Sequence, residues 1–116
     1  MLNQSAGLDR MFHALADPTR RAMVARLATG PASVSDLARP LAMSLPSVVQ
    51  HLQVLETAGL IQSEKAGRVR TCRMAPDALA LAERWLSDRR TEWEARLDRL
   101  EAWLAETQTA QEGEET

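Results

Sequence analysis

The sequence predicts a mainly α chain with one small β-hairpin, a winged helix-turn-helix of about five helices and a two-stranded wing. Three observations predict it. Ser44 to Gly59 reads as a helix whose outer face is polar but uncharged, and a short helix ends two residues before it. Directly after Gly59 the apolar period falls from 3.6 to 2 around a basic, glycine-containing turn. In the last third of the chain, Leu and Trp recur at intervals of seven.

Taken in order, Leu8, Met11, Phe12 and Leu15 form a helical stripe that must stop before Asp17-Pro18, because a residue preceding proline avoids the α region. Asp17 then caps a second helix with Pro18 at its first position, Met23, Val24 and Leu27 on its buried side and Gly30-Pro31 as its stop. Ser33 or Ser35 caps a short third helix carrying Leu37 and Leu41. Pro40 limits it to one or two turns, kinked or 3₁₀ at the end.

Only Ala42 and Met43 separate that helix from Ser44. Helix, tight turn, polar-faced helix is the helix-turn-helix arrangement, here without the frequent turn glycine. Within residues 44–58, Leu45, Val48, Leu52 and Leu55 fall on one side and Pro46, Gln50, Gln53 and Thr57 on the other. Ser44 suits the N-cap and Gly59 the left-handed position past the C-cap. A solvated helix face ordinarily mixes Lys and Glu, whereas this face presents amides and hydroxyls suited to reading hydrogen-bond edges. Gln50, at its centre, fits an adenine edge. Gln53 and Pro46 flank it, and Ser44 and Ser47 lie where first-turn hydroxyls and backbone N–H groups meet phosphates or bases. His51 lies at the edge of the face, suited either to a DNA contact or to local packing.

Residues 60–74 read as the wing, with strands Leu60 to Glu64 and Arg68 to Met74 about a turn at Lys65-Ala66-Gly67. Lys65, Arg68 and Arg70 are candidates for backbone or minor-groove contact. Arg70, Cys72 and Met74 share one face of the second strand, and Cys72 reads as a half-buried structural thiol rather than a redox or ligand-sensing one. Arg20 and Arg21 stand at a helix N-terminus, where cations are disfavoured, so an anionic partner is expected: a phosphate or, for at least one of them, an internal carboxylate such as Asp36.

Pro76-Asp77 opens the last helix, expected over 77–106. Leu79, Leu86, Trp93 and Leu100 recur at sevens, and Leu97 and Leu104 interleave, with Arg90 as the one interruption. About 30 helical residues extend ~45 Å, more than a domain of this size covers, so the seam points to a homodimer. Its interface is expected at Leu86, Trp93, Leu97, Leu100 and Leu104, with Leu8, Met11 and Phe12 of the first stripe as co-partners. Trp85 and Trp103 lie off the seam, where packing is favoured over an effector pocket. Thr107 to Thr116 is acidic and aperiodic and is expected to be a disordered tail, leaving residues 1–106 as one domain.

The totals narrow the function. The net charge of −2 divides unevenly: residues 1–76 carry nine Lys/Arg against five Asp/Glu, and residues 77–116 carry five against eleven. A basic front suits a polyanion, although a charged amphipathic helix alone accounts for the acidic back. One cysteine excludes an intramolecular disulfide. With no basic n-region followed by an apolar run, and no apolar stretch of spanning length, the expected location is the cytoplasm, without a membrane association. No glycine-rich phosphate loop, ligand cluster or Ser/His/Asp constellation suggests an enzyme.

Four segments together, D-P-T-R-R from Asp17, S-V-S-D-L-A from Ser33, M-S-L-P-S-V-V-Q-H-L-Q-V-L-E-T-A-G-L-I from Met43 and G-R-V-R-T-C-R from Gly67, resemble the ArsR family of bacterial winged-helix regulators in order and spacing. The run from Trp85 to Leu104 is similar to a subgroup lacking the metal sites. The resemblance covers roughly residues 8–105. It implies a homodimer, joined through first and last helices, that binds an inverted repeat in double-stranded DNA and usually represses transcription. It does not extend to the metal sensors: the stretch Ser33 to Leu37 has no cysteine pair and the last helix no histidine, so no metal or other cofactor is expected. The effector and operator are not legible. The competing function is a winged-helix and coiled-coil adaptor, in which the uncharged face meets a protein instead of a groove. A MarR-like regulator needs longer flanking helices.

Overall fold

The computed structural model describes residues 2–115, with side-chain surroundings for 6–113. Met1 and Thr116, at the start of the leading segment and the end of the expected tail, lie outside the described residues. The elements run α1 (Leu2–Leu15), α2 (Pro18–Leu27), β1 (Ala32–Ser33), α3 (Val34–Ala38), α4 (Leu45–Thr57), β2 (Ile61–Ala66), β3 (Val69–Met74) and α5 (Ala80–Glu115). Among the described residues, those up to Ala82 pack as one unit and those from Glu83 onwards form another. None of the described helices is long and apolar enough to cross a membrane.

In the first unit, α1 to α4 enclose a core of Met11, Met23, Leu27, Leu37, Val48, Leu52 and Leu55, against which Leu60, Ile61 and Cys72 of the sheet side are buried. The sheet is antiparallel in the order β1-β3-β2. The third strand was not expected. Its two residues pair Ala32 with Cys72 and Ser33 with Thr71, and two residues carry no period to detect.

Both ends of α4 form as their residues dictate. Ser44 caps the N-terminus through the Ser47 N–H. At the other end Gly59, at φ +79°, sends its N–H to the Glu56 carbonyl, and the Leu60 N–H reaches the Leu55 carbonyl at 3.0 Å. That pair of bonds is a Schellman motif, and its usual apolar contact is supplied by Leu55 and Leu60, both fully buried. Upstream, Ser33 caps α3, and Pro40 ends it as expected. The final turn tightens through Leu41 N–H to the Ala38 carbonyl.

Several expectations need correction. The hairpin turn is Gly67-Arg68, not Lys65-Ala66-Gly67: Ala66 pairs with Val69, and Gly67 takes φ +64° at the first central position, where a type II′ turn wants glycine. Lys65 is therefore in β2 and Arg68 at the tip. The last helix starts at Ala80, because Asp77 adopts φ +56°, which short polar side chains tolerate, and a turn across Ala78 and Ala80 follows. Leu79 packs on the first unit's core instead of heading the heptad seam. At the far end the helix runs through Thr107 to Glu115, where a disordered tail was expected. Ala, Gln and Glu there are good helix formers, and the Thr107 and Thr109 hydroxyls bond back to the Trp103 and Ala105 carbonyls.

Taken by itself, the second unit is the body of α5. Leu86, Trp93, Leu97, Leu100 and Leu104 are exposed on one side of it, Trp93 at 60%. Arg89 stacks 5.0 Å from the Trp85 ring and bridges to Glu92 at 2.8 Å.

Candidate nucleic-acid interface

Burial of Val48, Leu52 and Leu55 fixes the rotation of α4 and turns Pro46, Gln50, Gln53 and Thr57 to solvent. Among the described residues, neither glutamine amide has a hydrogen-bond partner, so the donor and acceptor of each remain available at the surface. Ser44 and Ser47 are engaged with each other, the Ser44 hydroxyl donating to the Ser47 hydroxyl at 3.0 Å while it accepts the Ser47 N–H. Leu45, placed by its spacing on the buried side, is 55% exposed. It stands at the margin of the buried stripe, at the first helical position, where no later turn covers it.

His51 faces inward. Its Nδ1 lies 3.3 Å from an Arg20 guanidinium nitrogen and 3.8 Å from the Asp17 carboxylate. Arginine only donates, so its contact with Nδ1 is a hydrogen bond in the neutral tautomer that carries the proton on Nε2. This geometry favours the packing role for His51 over a DNA contact.

Arg20 is the hub of that corner. Its Nε donates to the Ala14 carbonyl at 2.7 Å and another nitrogen to the His13 carbonyl at 3.1 Å; Arg21 reaches the Leu15 carbonyl at 2.8 Å. These cations meet the negative C-terminal end of α1, and Arg20 also feels the charge of the Asp17 carboxylate rather than that of Asp36. Asp36 pairs with Arg39 instead. Asp17 caps α2 by accepting the Arg20 N–H at 3.0 Å. That bond holds its carboxyl below the usual range, and the charge of Arg20 acts in the same direction. Sequence reading could place Arg20 on α2 but not find its partners, which come from α1 and α4.

In the wing, Arg73 is compensated by Glu64 at 3.6 Å. Lys65 and Arg70 stand directly opposite each other across the strands, with Arg68 at the turn between them, all exposed. None of the three has an acidic partner among the described residues. Like charges directly opposite destabilise a strand pair, so this hairpin carries a cost that an anion would relieve. Cys72 lies beneath, fully buried rather than half-buried; burial pushes its thiol up, and the Glu56 carboxylate adds to the effect. No three His, Cys, Asp or Glu side chains among the described residues come together as a metal-binding group.

Two groups were missed from sequence. Arg10 and His13 of α1 line an open groove with Gln50, Gln53 and Thr57, extending the polar surface towards α1. Val49, 40% exposed, flanks the polar face on the wing side with Leu45. A helical wheel centred on the buried stripe shows the second group; the first depends on how α1 crosses α4. Of the expected interface residues on α1, Met11 is only 5% exposed and belongs to its own chain's core, so it is not available to a second copy. Leu8 is partly buried there too, while Phe12 is exposed.

Comparison with known proteins agrees with this geometry. A helix-turn-helix domain model matches residues 15–64. The chain is 53% identical over 72 residues to the HTH-type transcriptional regulator Rv2034 of Mycobacterium tuberculosis, a match covering 62% of this chain and 67% of that protein. It is 37% identical over 70 residues to the transcriptional repressor SmtB of the same organism, covering 60% of this chain and 52% of the relative, so the likeness to that protein spans about half its length. Among solved structures, a crystal structure of an ArsR family transcriptional regulator superposes with a TM-score of 0.74 at 47% identity, covering 78% of this chain and 93% of that one. A solution structure from Mycobacterium bovis, described as a homodimeric winged helix-turn-helix DNA-binding domain, gives 0.59 at 29% identity over 78% of this chain and 84% of that one.

Proposed function

This chain belongs to the ArsR family of winged helix-turn-helix transcriptional regulators, and from that premise we propose that it is a homodimeric repressor acting on an inverted-repeat operator. It is a DNA-binding regulator and not an enzyme, as its relatives are. In the proposed complex α4 enters the major groove, with Gln50 and Gln53 at base edges and Pro46, Ser44 and Ser47 at the groove entrance. Lys65, Arg68 and Arg70 of the wing contact the phosphate backbone or minor groove. His51 serves indirectly, by anchoring α4 to the corner at Arg20.

The observation that carries this reading is the pairing of an outward, unpartnered amide face on α4 with a wing whose three cations lack acidic partners. Two copies join through the exposed seam of α5, with Leu86, Trp93, Leu97, Leu100 and Leu104 as the apolar contacts, and Phe12 and Leu8 of α1 contribute separately. A homodimeric neighbour of the same architecture supports that assembly. In this scheme residues 1–106 act as one DNA-binding and dimerising domain, with residues 107–115 prolonging its last helix. Such a protein works in the compartment that holds the DNA, the cytoplasm of a bacterium.

A gel-shift series with the protein's own promoter region tests the proposal. Retardation at protein concentrations that leave random duplex unshifted supports it. Equal retardation of both at every salt concentration refutes it and moves the uncharged face to a protein partner.

A further inference from the structure

Beside its amide face, α4 carries an exposed apolar flank. Leu45 and Val49 are one helical turn apart, at the i and i+4 spacing that brings side chains together, and are 55% and 40% exposed. Val69, at the first position of β3, is exposed as well. All three line one depression between α4 and the wing, and Lys65, Arg68 and Arg70 line it with them; no carboxylate does. The core does not require these side chains, and a solvated recognition helix gains nothing from leaving them bare.

The lining selects the occupant. Three cations and no acid admit a polyanion, and an apolar floor asks for an apolar group carried on it. In a DNA duplex the one apolar feature of the major groove is the thymine 5-methyl group. Gln50, the next residue along α4 after Val49, lines the neighbouring groove towards α1. We propose that Leu45 and Val49 are specificity-determining residues that read a thymine methyl group, at a base pair neighbouring the one Gln50 reads and towards the wing. The inference rests on α4 lying in the major groove and adds what the amides alone cannot supply, an apolar contact with the thymine methyl.

The test uses the full chain and a duplex enriched by it from a random-sequence library. Each thymine is replaced in turn by deoxyuridine, which removes the methyl and leaves the hydrogen-bonding edge intact, and binding is followed by fluorescence anisotropy. One thymine per half-site is expected to weaken binding about fourfold when its methyl is lost, the factor one buried methyl contributes. In Val49→Ala, which leaves Leu45 in place, that sensitivity is reduced. Alanine is the stronger helix former, so loss of the helix does not explain the result, and circular dichroism checks it. Specific binding with no uracil-sensitive position, or equal sensitivity in Val49→Ala, overturns the inference and gives the patch to a protein segment or a second copy. Failure to enrich any sequence instead overturns the reading of α4 on which it rests.

Discussion

Replacing Arg20 with methionine retains an aliphatic stem and removes one guanidinium, and the structure gives the cost. That group donates to the carbonyls of Ala14 at 2.7 Å and His13 at 3.1 Å and to Nδ1 of His51 at 3.3 Å, tying α1, α2 and α4 at one corner. A hydrogen bond from a charged donor contributes about 1.5–3 kcal/mol where water is excluded. Arg20 is half-buried, so about 1 kcal/mol for each carbonyl bond and a few tenths for the longer histidine contact is the fitting scale. The cation also sits at the negative end of α1, worth roughly 0.3–1 kcal/mol. Together these give a loss of ~2.5–3.5 kcal/mol, and with a urea slope of about 1–3 kcal/mol per molar the midpoint falls by roughly 1–3 M. Unfolding is measured at one fixed protomer concentration, since assembly raises apparent stability by mass action. Arg21→Met, which gives up a single exposed bond to the Leu15 carbonyl, is the internal comparison and loses about 0.5 kcal/mol. A loss for Arg20→Met no larger than for Arg21→Met refutes the assigned role. So does a drop in the salt slope of DNA binding of about 0.9 per protomer, because a residue committed to protein carbonyls neutralises no phosphate.

Gln50→Ala is expected to relax the base preference at one position per half-site by about 1–3 kcal/mol, read as the change in affinity across duplexes varied at each position. Arg68→Ala should weaken all sequences alike and lower the salt slope by about 1.8, ~0.9 for each of the two wings of the dimer, measured by anisotropy between low and physiological salt. Arg70→Thr relieves the repulsion with Lys65 and stabilises the free protein by a few tenths of a kcal/mol in urea, yet weakens DNA binding; loss of both properties argues against an anion at that pair. Because the folded-state carboxyl of Asp17 lies below its ordinary 3.8, its contribution is fully present above that value. It is lost as pH falls through the depressed folded value. Asp17→Asn keeps a capping oxygen, so its stability curve should flatten below about pH 4, where the parent's declines; parallel curves contradict the role given to this carboxylate.

What was legible in the sequence is what neighbouring residues determine among themselves. Ser44 and Gly59 fixed both ends of α4 because capping and the Schellman motif involve only residues within a few positions, and Val48, Leu52 and Leu55 fixed its rotation. Pro40 stopped α3 for an equally local reason. Errors arose where two near-equal local choices were decided by something else. The hairpin turn could form one or two residues earlier, and pairing of Ala66 with Val69, which gives Gly67 the positive φ, set the register. Asp77 looked like the beginning of a helix, yet its left-handed conformation delays α5 to Ala80. Leu45 fitted the apolar stripe by spacing, but a first-turn residue has nothing above it unless another element arrives. Contacts from distant segments were not readable at all. Arg20 draws its partners from α1 and α4, β1 exists only because β3 lies beside it, and Met11 is claimed by the core although its spacing suits an interface equally well.

The central claim is that the exposed face of α4, doubled by a twofold axis, reads a palindrome. Sequencing of duplexes enriched from a random library by the full chain tests it most directly. The expected motif is an inverted repeat with half-site centres ~10–10.5 base pairs apart, one helical turn or a multiple of it, degenerate at one base per half-site when Gln50→Ala is used. A single asymmetric motif, or a motif unchanged by Gln50→Ala, contradicts it.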